Sequence, residues 1–410
     1  MNVPYFSRWN ILTAAPHRLM FLTGMAALML ASAWWGMHLL ARSTGWPLFA
    51  LDLKVAPIWA HTFLMLFSVF PTFFFGFLFT VFPRWMNGPL VPRRVYVATG
   101  LLMAAATAAW LAGIHGAPGL QIVAGLLALG GLLAATSALI RVLLDAKQSV
   151  PHAYVVLTGL CVEIVALAGF TFGIATASDF ALHFAVRTAL WGGLLPVFFA
   201  VCHRMIPFFS QNAVPHYVAW RPQWILIAVV ALVYARLLLG TAGALRTLVI
   251  VDVALFALTA LCAVRWTSLQ AKGNPLAWTL YAGFAWLPVA TLLQAARDLG
   301  FVATGQWLLG RAPIHALGMG FFGGMLIAMV TRVTMGHSGR PLRMDRIALA
   351  CFFSLQAATV ARVASEVVTA PGWVQALLLA SVALWLAAFG VWTWRLGGIY
   401  LAPRIDGQPG

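Results

Sequence analysis

Residues 312–342 read APIHALGMGFFGGMLIAMVTRVTMGHSGRPL. His315 stands near the start of an apolar run, a Gly-rich segment follows, and Arg332, His337 and Arg340 close the stretch. Its apolar part is long enough to cross a hydrocarbon layer, which takes a helix of about 20 residues. An imidazole near one end of such a span is costly in lipid unless it has a partner. With a basic, Gly-rich exit at the other end, the stretch points to a cofactor site rather than to filler.

The rest of the chain shares this character. Of 410 residues, 62% are hydrophobic and only 8% charged, and the mean hydropathy is +0.93. A soluble domain carries about 25% charged residues. There is too little polar surface here to cover a water-soluble particle, so the fold class is an all-α polytopic membrane protein. About twelve spans satisfy the ~20-residue criterion, at roughly 18–41, 57–82, 93–113, 119–143, 152–175, 181–208, 223–242, 246–266, 275–296, 312–334, 346–368 and 373–395. Connections are short, so residues 1–410 read as one integral membrane domain. The first apolar run, Leu19 to Ala41, is long enough to span, and no cleavable signal peptide is expected. No internal repeat is legible by eye.

The formal net charge is +16. In a soluble chain that would suggest nucleic acid, but here the basic residues lie between apolar runs and form no nucleic-acid arm. With twelve spans both termini fall on one side, and about 17 of the 25 Lys and Arg fall there too, which reads as the cytoplasmic side. Cys161, Cys202, Cys262 and Cys351 all sit in apolar runs and form no C-x-x-C. They read as small buried hydrophobes. There is no P-loop, no H-E-x-x-H and no G-x-S-x-G, so hydrolytic and nucleotide-driven chemistry has no residues to use.

Depth sorts the histidines. Spans 2, 6 and 10 begin on the outer side and carry His61, His183 and His315, each within ~3–6 Å of its helix start at the α-helical rise. These three share one layer, and His38 at the outer end of span 1 could join it. His17, His152, His203, His216 and His337 form an inner set. Imidazole is the usual protein ligand of haem iron and of copper, and two on facing helices can ligate one haem. Arg187 and Arg236 fall in outer half-spans and could bind haem propionates, a guanidinium matching a carboxylate in a bidentate fork. The competing reading of Arg236 is a structural pair with Asp252. Glu163, mid-span, is a candidate for proton relay. The cluster of Arg84, His203, Arg204, Arg332, His337 and Arg340 reads either as topology and headgroup contact or as an anionic-ligand site. Gly169-x-x-x-Gly173 and Gly320-x-x-x-Gly324 read as close-packing motifs.

Three stretches together resemble the NnrS family of bacterial membrane proteins: AMVTRVTMGHSGRPL (328–342), FFAVCHRMIPFFS (198–210) and WAHTFLMLFSVFPTFFFGFLFTVFPRWM (59–86). The resemblance implies a haem- and copper-containing protein of the bacterial inner (cytoplasmic) membrane, linked to nitric oxide metabolism and protection from nitrosative stress. Many members start span 2 with His-x-His-Glu-Met; here the run is His61, Thr62, Phe63, Leu64, Met65, so Phe63 and Leu64 replace one candidate ligand and a glutamate. The layout is also similar to subunit I of haem–copper oxidases and nitric oxide reductases, whose haem-ligating histidines lie on spans 2 and 10, though their adjacent copper-binding pair is missing here. The expected ligands are thus His61 and His315 for haem iron, with His183 as a third ligand or second-metal contact and His203 and His337 as further metal or proton-path residues. The expected partners are nitric oxide, membrane lipid and, for turnover, a quinol or other electron donor. A quinol-linked enzyme acting on nitric oxide and a cofactor-free transporter or scaffold remain the alternatives.

Overall fold

The fold was taken from a computed structural model, in which the structure describes residues 7–45, 53–117 and 119–407. Twelve described helices are long and apolar enough to cross a membrane. They are α1 (Pro16–Thr44), α2 (Pro57–Met86), α3 (Arg93–His115), α4 (Leu120–Leu144), α5 (Pro151–Thr176), α6 (Asp179–Gln211), α7 (Gln223–Thr241), α8 (Leu245–Trp266), α9 (Pro275–Thr304), α10 (Ala312–His337), α11 (Arg346–Ala364) and α12 (Pro371–Tyr400). There is no strand among the described residues. Each expected span has its helix; α11 alone ends markedly early, at Ala364 instead of residue 368.

Local chemistry sets the ends. Proline opens α1, α2, α5, α9 and α12, where its missing N–H costs nothing and its fixed φ suits the first turn. Ser178, Asn274 and Asp345 cap α6, α9 and α11 by accepting the backbone N–H of Ala181, Ala277 and Ala348. Gly45 and Gly305 take the left-handed conformation that closes α1 and α9.

Three helices form the axis of the bundle. In α2, 89% of the apolar window is buried, and in α6 and α10 78%, against 22–61% for the other nine. Around them α1 packs on α3, α3 on α4, α4 on α5, α7 on α8, α8 on α9 and α11 on α12, and α12 returns to α1. Phe70 of α2, Phe198 of α6 and Phe322 of α10 meet at the centre, with centroids 6.0 Å, 5.3 Å and 4.2 Å apart for the pairs 70–198, 70–322 and 198–322.

The axial helices also share a backbone feature: each widens to a π-helix, over Phe63–Val69, Thr188–Leu194, and Ala316–Gly323 with Leu326–Val330. In α2 and α6 the widened segment stops two residues before a proline, Pro71 and Pro196. A proline in mid-helix has no N–H to give and its ring crowds the carbonyl four residues back. Widening to i→i+5 bonding relieves that conflict while keeping backbone groups paired in a medium with no water. In α10 a Gly-rich sequence accompanies the widening instead. The axial helices are thus every fourth span, each with a histidine before its π segment. This is a repeat that residue identities alone conceal.

Two packing details tie the axis to the ring. Gly283 of α9 and Gly324 of α10 cross so closely that a Cβ on Gly324 would lie 3.0 Å from the Gly283 Cα, and a Cβ on Gly320 would run into the Trp286 indole. Gly320-x-x-x-Gly324 is therefore a packing motif, as expected. Gly173 meets Leu182 in the same way, whereas Gly169 has 3.8 Å to its nearest neighbour. Between α7, α8 and α9, Arg236 is held by Asp252 at 2.7 Å and Asp298 at 3.2 Å. Its guanidinium also lies 4.0 Å from the ring centre of Trp191 on α6. Of the four cysteines, Cys202, Cys262 and Cys351 are buried as expected, but Cys161 is exposed, because it lies on the outward side of the peripheral helix α5.

Gly320→Ala is expected to lower stability in detergent by about 1–3 kcal/mol through overpacking against Trp286, while Gly169→Ala leaves it unchanged; thermal unfolding of the two variants side by side checks the contrast. Arg236→Leu strands two buried carboxylates and is expected to cost about 3–5 kcal/mol, read by the same assay.

Candidate functional site

The α1 start and the α12 end lie together, since Arg18 donates to the carbonyls of Tyr400 and Ala402. This is the near end of the bundle, and the opposite one is the far end. His61 and His315, one turn or less into α2 and α10, stand at the far end. Each is within electrostatic reach of the other and of two arginines, Arg311 before α10 and Arg362 on α11; His38 acts on His61 as well.

The surroundings of each ring decide what it can bind. The His61 imidazole stacks on Trp35 of α1, centroids 4.3 Å apart, and Trp35 also stacks on His38 at 5.3 Å. His61 Nδ1 is buried and has no hydrogen-bond partner. His315 Nδ1 lies 3.0 Å from the Arg311 carbonyl. A carbonyl only accepts, so Nδ1 donates, and in the neutral ring Nε2 keeps its lone pair. A backbone carbonyl that fixes one imidazole nitrogen and frees the other is the usual support for an iron- or metal-binding histidine. Arg362 is anchored by Glu366 at 2.6 Å and donates to Ser365 Oγ at 2.9 Å; Arg311 is exposed.

The remaining predicted residues are placed elsewhere. His183 has the same support as His315, with Nδ1 2.9 Å from the Asp179 carbonyl. Yet it is exposed and meets Trp59 edge-on, centroids 4.9 Å apart, not His61. Arg187 is exposed and donates to the Gly240 carbonyl at 2.9 Å. Arg236 is committed to Asp252 and Asp298, the structural reading of that residue. His203 and His337 lie at the near end in two separate pairs. His203 Nε2 donates to the Pro222 carbonyl at 3.2 Å, so its Nδ1 accepts from His152 Nε2 at 2.9 Å and both of its nitrogens are used. His337 faces His17 with centroids 4.7 Å apart. Glu163 is fully enclosed against Gly193 in the π segment of α6, and neither carboxyl oxygen has a partner.

Sequence reasoning named the two far-end histidines but not the arginines beside them. The signal was available: Arg311 precedes His315 by four residues, and Arg362 lies at the far-end terminus of α11, at the depth that singled out the histidines. Trp35 left no such signal among the many tryptophans of the chain.

A haem brings four ring nitrogens of its own and needs one or two protein ligands plus cations for its propionates. His61, His315, Arg311 and Arg362 fit that demand. Among the described residues no group of three His, Cys, Asp or Glu is close enough to form a three-ligand metal site. Between this site and the near end lies an apolar cavity of about 50 Å³, lined by residues of the three axial helices that include Phe73, Phe77, Val201, Met325 and Met329.

None of the curated proteins compared with the chain matches it. The model of a protein family described as NnrS protein matches residues 11–404, nearly the whole length. The chain therefore belongs to the NnrS family.

Proposed function

We propose that this multi-pass membrane protein binds haem at the far end of the bundle through His61 and His315 and serves the nitric oxide response by binding nitric oxide there. The observation that carries the reading is the His315 imidazole, pinned through Nδ1 to the Arg311 carbonyl with Nε2 left free, within reach of His61 and of two guanidinium groups. Haem iron, when bound, supplies a site that takes nitric oxide as a ligand.

The chain's own contribution is positioning. The Arg311 carbonyl holds one imidazole in a fixed tautomer, and Trp35 holds the other by stacking. Arg362, braced by Glu366, presents a cation for a propionate, and Arg311 presents a second. The three axial helices exclude water beneath the site with the Phe70, Phe198 and Phe322 contact. Nitric oxide is small and nearly apolar, so it dissolves in hydrocarbon, and the cavity among the axial helices is apolar enough to admit it.

Full-length protein purified in detergent from haem-sufficient cells is expected to show a Soret band that shifts on addition of nitric oxide. His61→Ala and His315→Ala should each lower haem content several-fold, and His183→Ala should not. Arg362→Gln should weaken haem retention by about tenfold, the scale of one charge-assisted hydrogen bond. Full haem content in both His61→Ala and His315→Ala would remove the ligand assignment.

A further inference from the structure

At the near end the far-end logic is reversed: cations are plentiful and carboxylates scarce. His17 and Arg18 open α1, and each is only 3% exposed. His337 closes α10 with its ring 4.7 Å from that of His17. Arg84 of α2, Arg340 after α10 and Arg404 after α12 lie within electrostatic reach of this group. Asp406 is the carboxylate paired within it, and it is taken by Arg404 through two hydrogen bonds, 2.9 and 2.6 Å long. Among the described residues, four guanidinium groups stand here beside one carboxylate.

The hydrogen bonding is unfinished as well. Arg18 gives Nη1 to the Tyr400 and Ala402 carbonyls, but its buried Nε has no partner. His17 Nδ1 and Arg340 Nη1 are likewise buried without partners. Buried polar atoms are rarely left so, and each one asks for an explanation. Basic residues placed only to set membrane orientation reach outward to water and headgroups; Arg18 and His17 do not, because α2, α10 and the chain after α12 enclose them. A metal cation between the two imidazoles would be repelled by the surrounding guanidinium groups. An anion with several acceptor oxygens answers both deficits at once, and exposed Arg84 marks its way in.

We infer that the near ends of α1, α2, α10 and α12 form a binding site for a phosphate-type oxyanion, held by Arg18, Arg340, His17 and His337 and entered past Arg84. The site is separate from the far-end histidines and does not depend on haem. Its ligand is a phosphoryl group, carried either by free phosphate or by a phospholipid headgroup.

The test uses the full chain in phosphate-free detergent, with inorganic phosphate added against sodium chloride at matched ionic strength. Free phosphate as the ligand raises the melting temperature in a saturable way, and Arg340→Gln weakens the apparent affinity by about tenfold, again one charge-assisted hydrogen bond. A phospholipid as the ligand gives instead a phospholipid that co-purifies and is counted by native mass spectrometry, reduced in Arg340→Gln and in Arg84→Gln. Arg84 is exposed and Arg340 only half-buried, so these variants are expected to fold, and Arg18→Gln tests the floor of the site. No stabilisation by phosphate beyond chloride, together with equal phospholipid counts in wild type and Arg340→Gln, overturns the assignment.

Discussion

Hydrocarbon offers no hydrogen bonds, so every backbone group crossing it must be paired within the protein. The architecture depends on how the three axial helices meet that demand while carrying prolines and glycines that work against a regular helix. Pro71 and Pro196 cannot continue an α-helical ladder, and the turns before them widen. A widened turn changes which side chains face the axis. It is affordable only where neighbouring helices enclose it, and α2, α6 and α10 are the most enclosed helices of the bundle. The ring of nine outer helices is thus the condition for an irregular centre, and the irregular centre carries the histidines.

The axial histidines and their neighbours on α1 and α5 do not form one site. A contact of Phe70, Phe198 and Phe322 divides the axis, with His61 and His315 on one side and the pairs His17–His337 and His152–His203 on the other. The charges divide in the same way. Arg362 at the far end is braced by Glu366, whereas Arg18 and Arg340 at the near end keep donors with no acceptor. Arg236 stands apart from both ends, since two carboxylates and an indole face hold it. Its work is to join α6, α7, α8 and α9.

Much of this was legible in the sequence. Composition and apolar run length gave the class and all twelve spans, because burial in lipid leaves a signal in every residue of a span. Counting spans then gave the depth of each histidine, which correctly put His61 and His315 in one layer. Depth says nothing about direction around a helix axis, however. His183 shares the layer yet turns outward, a direction that residue identities do not show. Arg187 and Arg236 were likewise at a suitable depth, but their partners, the Gly240 carbonyl and Asp252 with Asp298, are set by helix contacts. The repeat of a π segment in every fourth span was hidden for a related reason. Backbone widening precedes a proline in two helices and coincides with a glycine-rich run in the third, so unlike sequences give like geometry.

What separates the candidate ligands in the end is the availability of a lone pair. A neutral imidazole has one donor and one acceptor nitrogen. His203 spends both, on the Pro222 carbonyl and on His152. That same donation leaves His152 Nδ1 unprotonated and without a partner. His315 spends only its donor, on the carbonyl one turn back, and its remaining nitrogen is free in a helix that begins beside Arg311. His183 does the same on an exposed face. Of the rings whose hydrogen bonds fix a free Nε2, therefore, only His315 also has a second histidine and two guanidinium groups within reach. The carbonyl four residues before it fixes the tautomer of a residue at a suitable depth, and the proposed ligation rests on that.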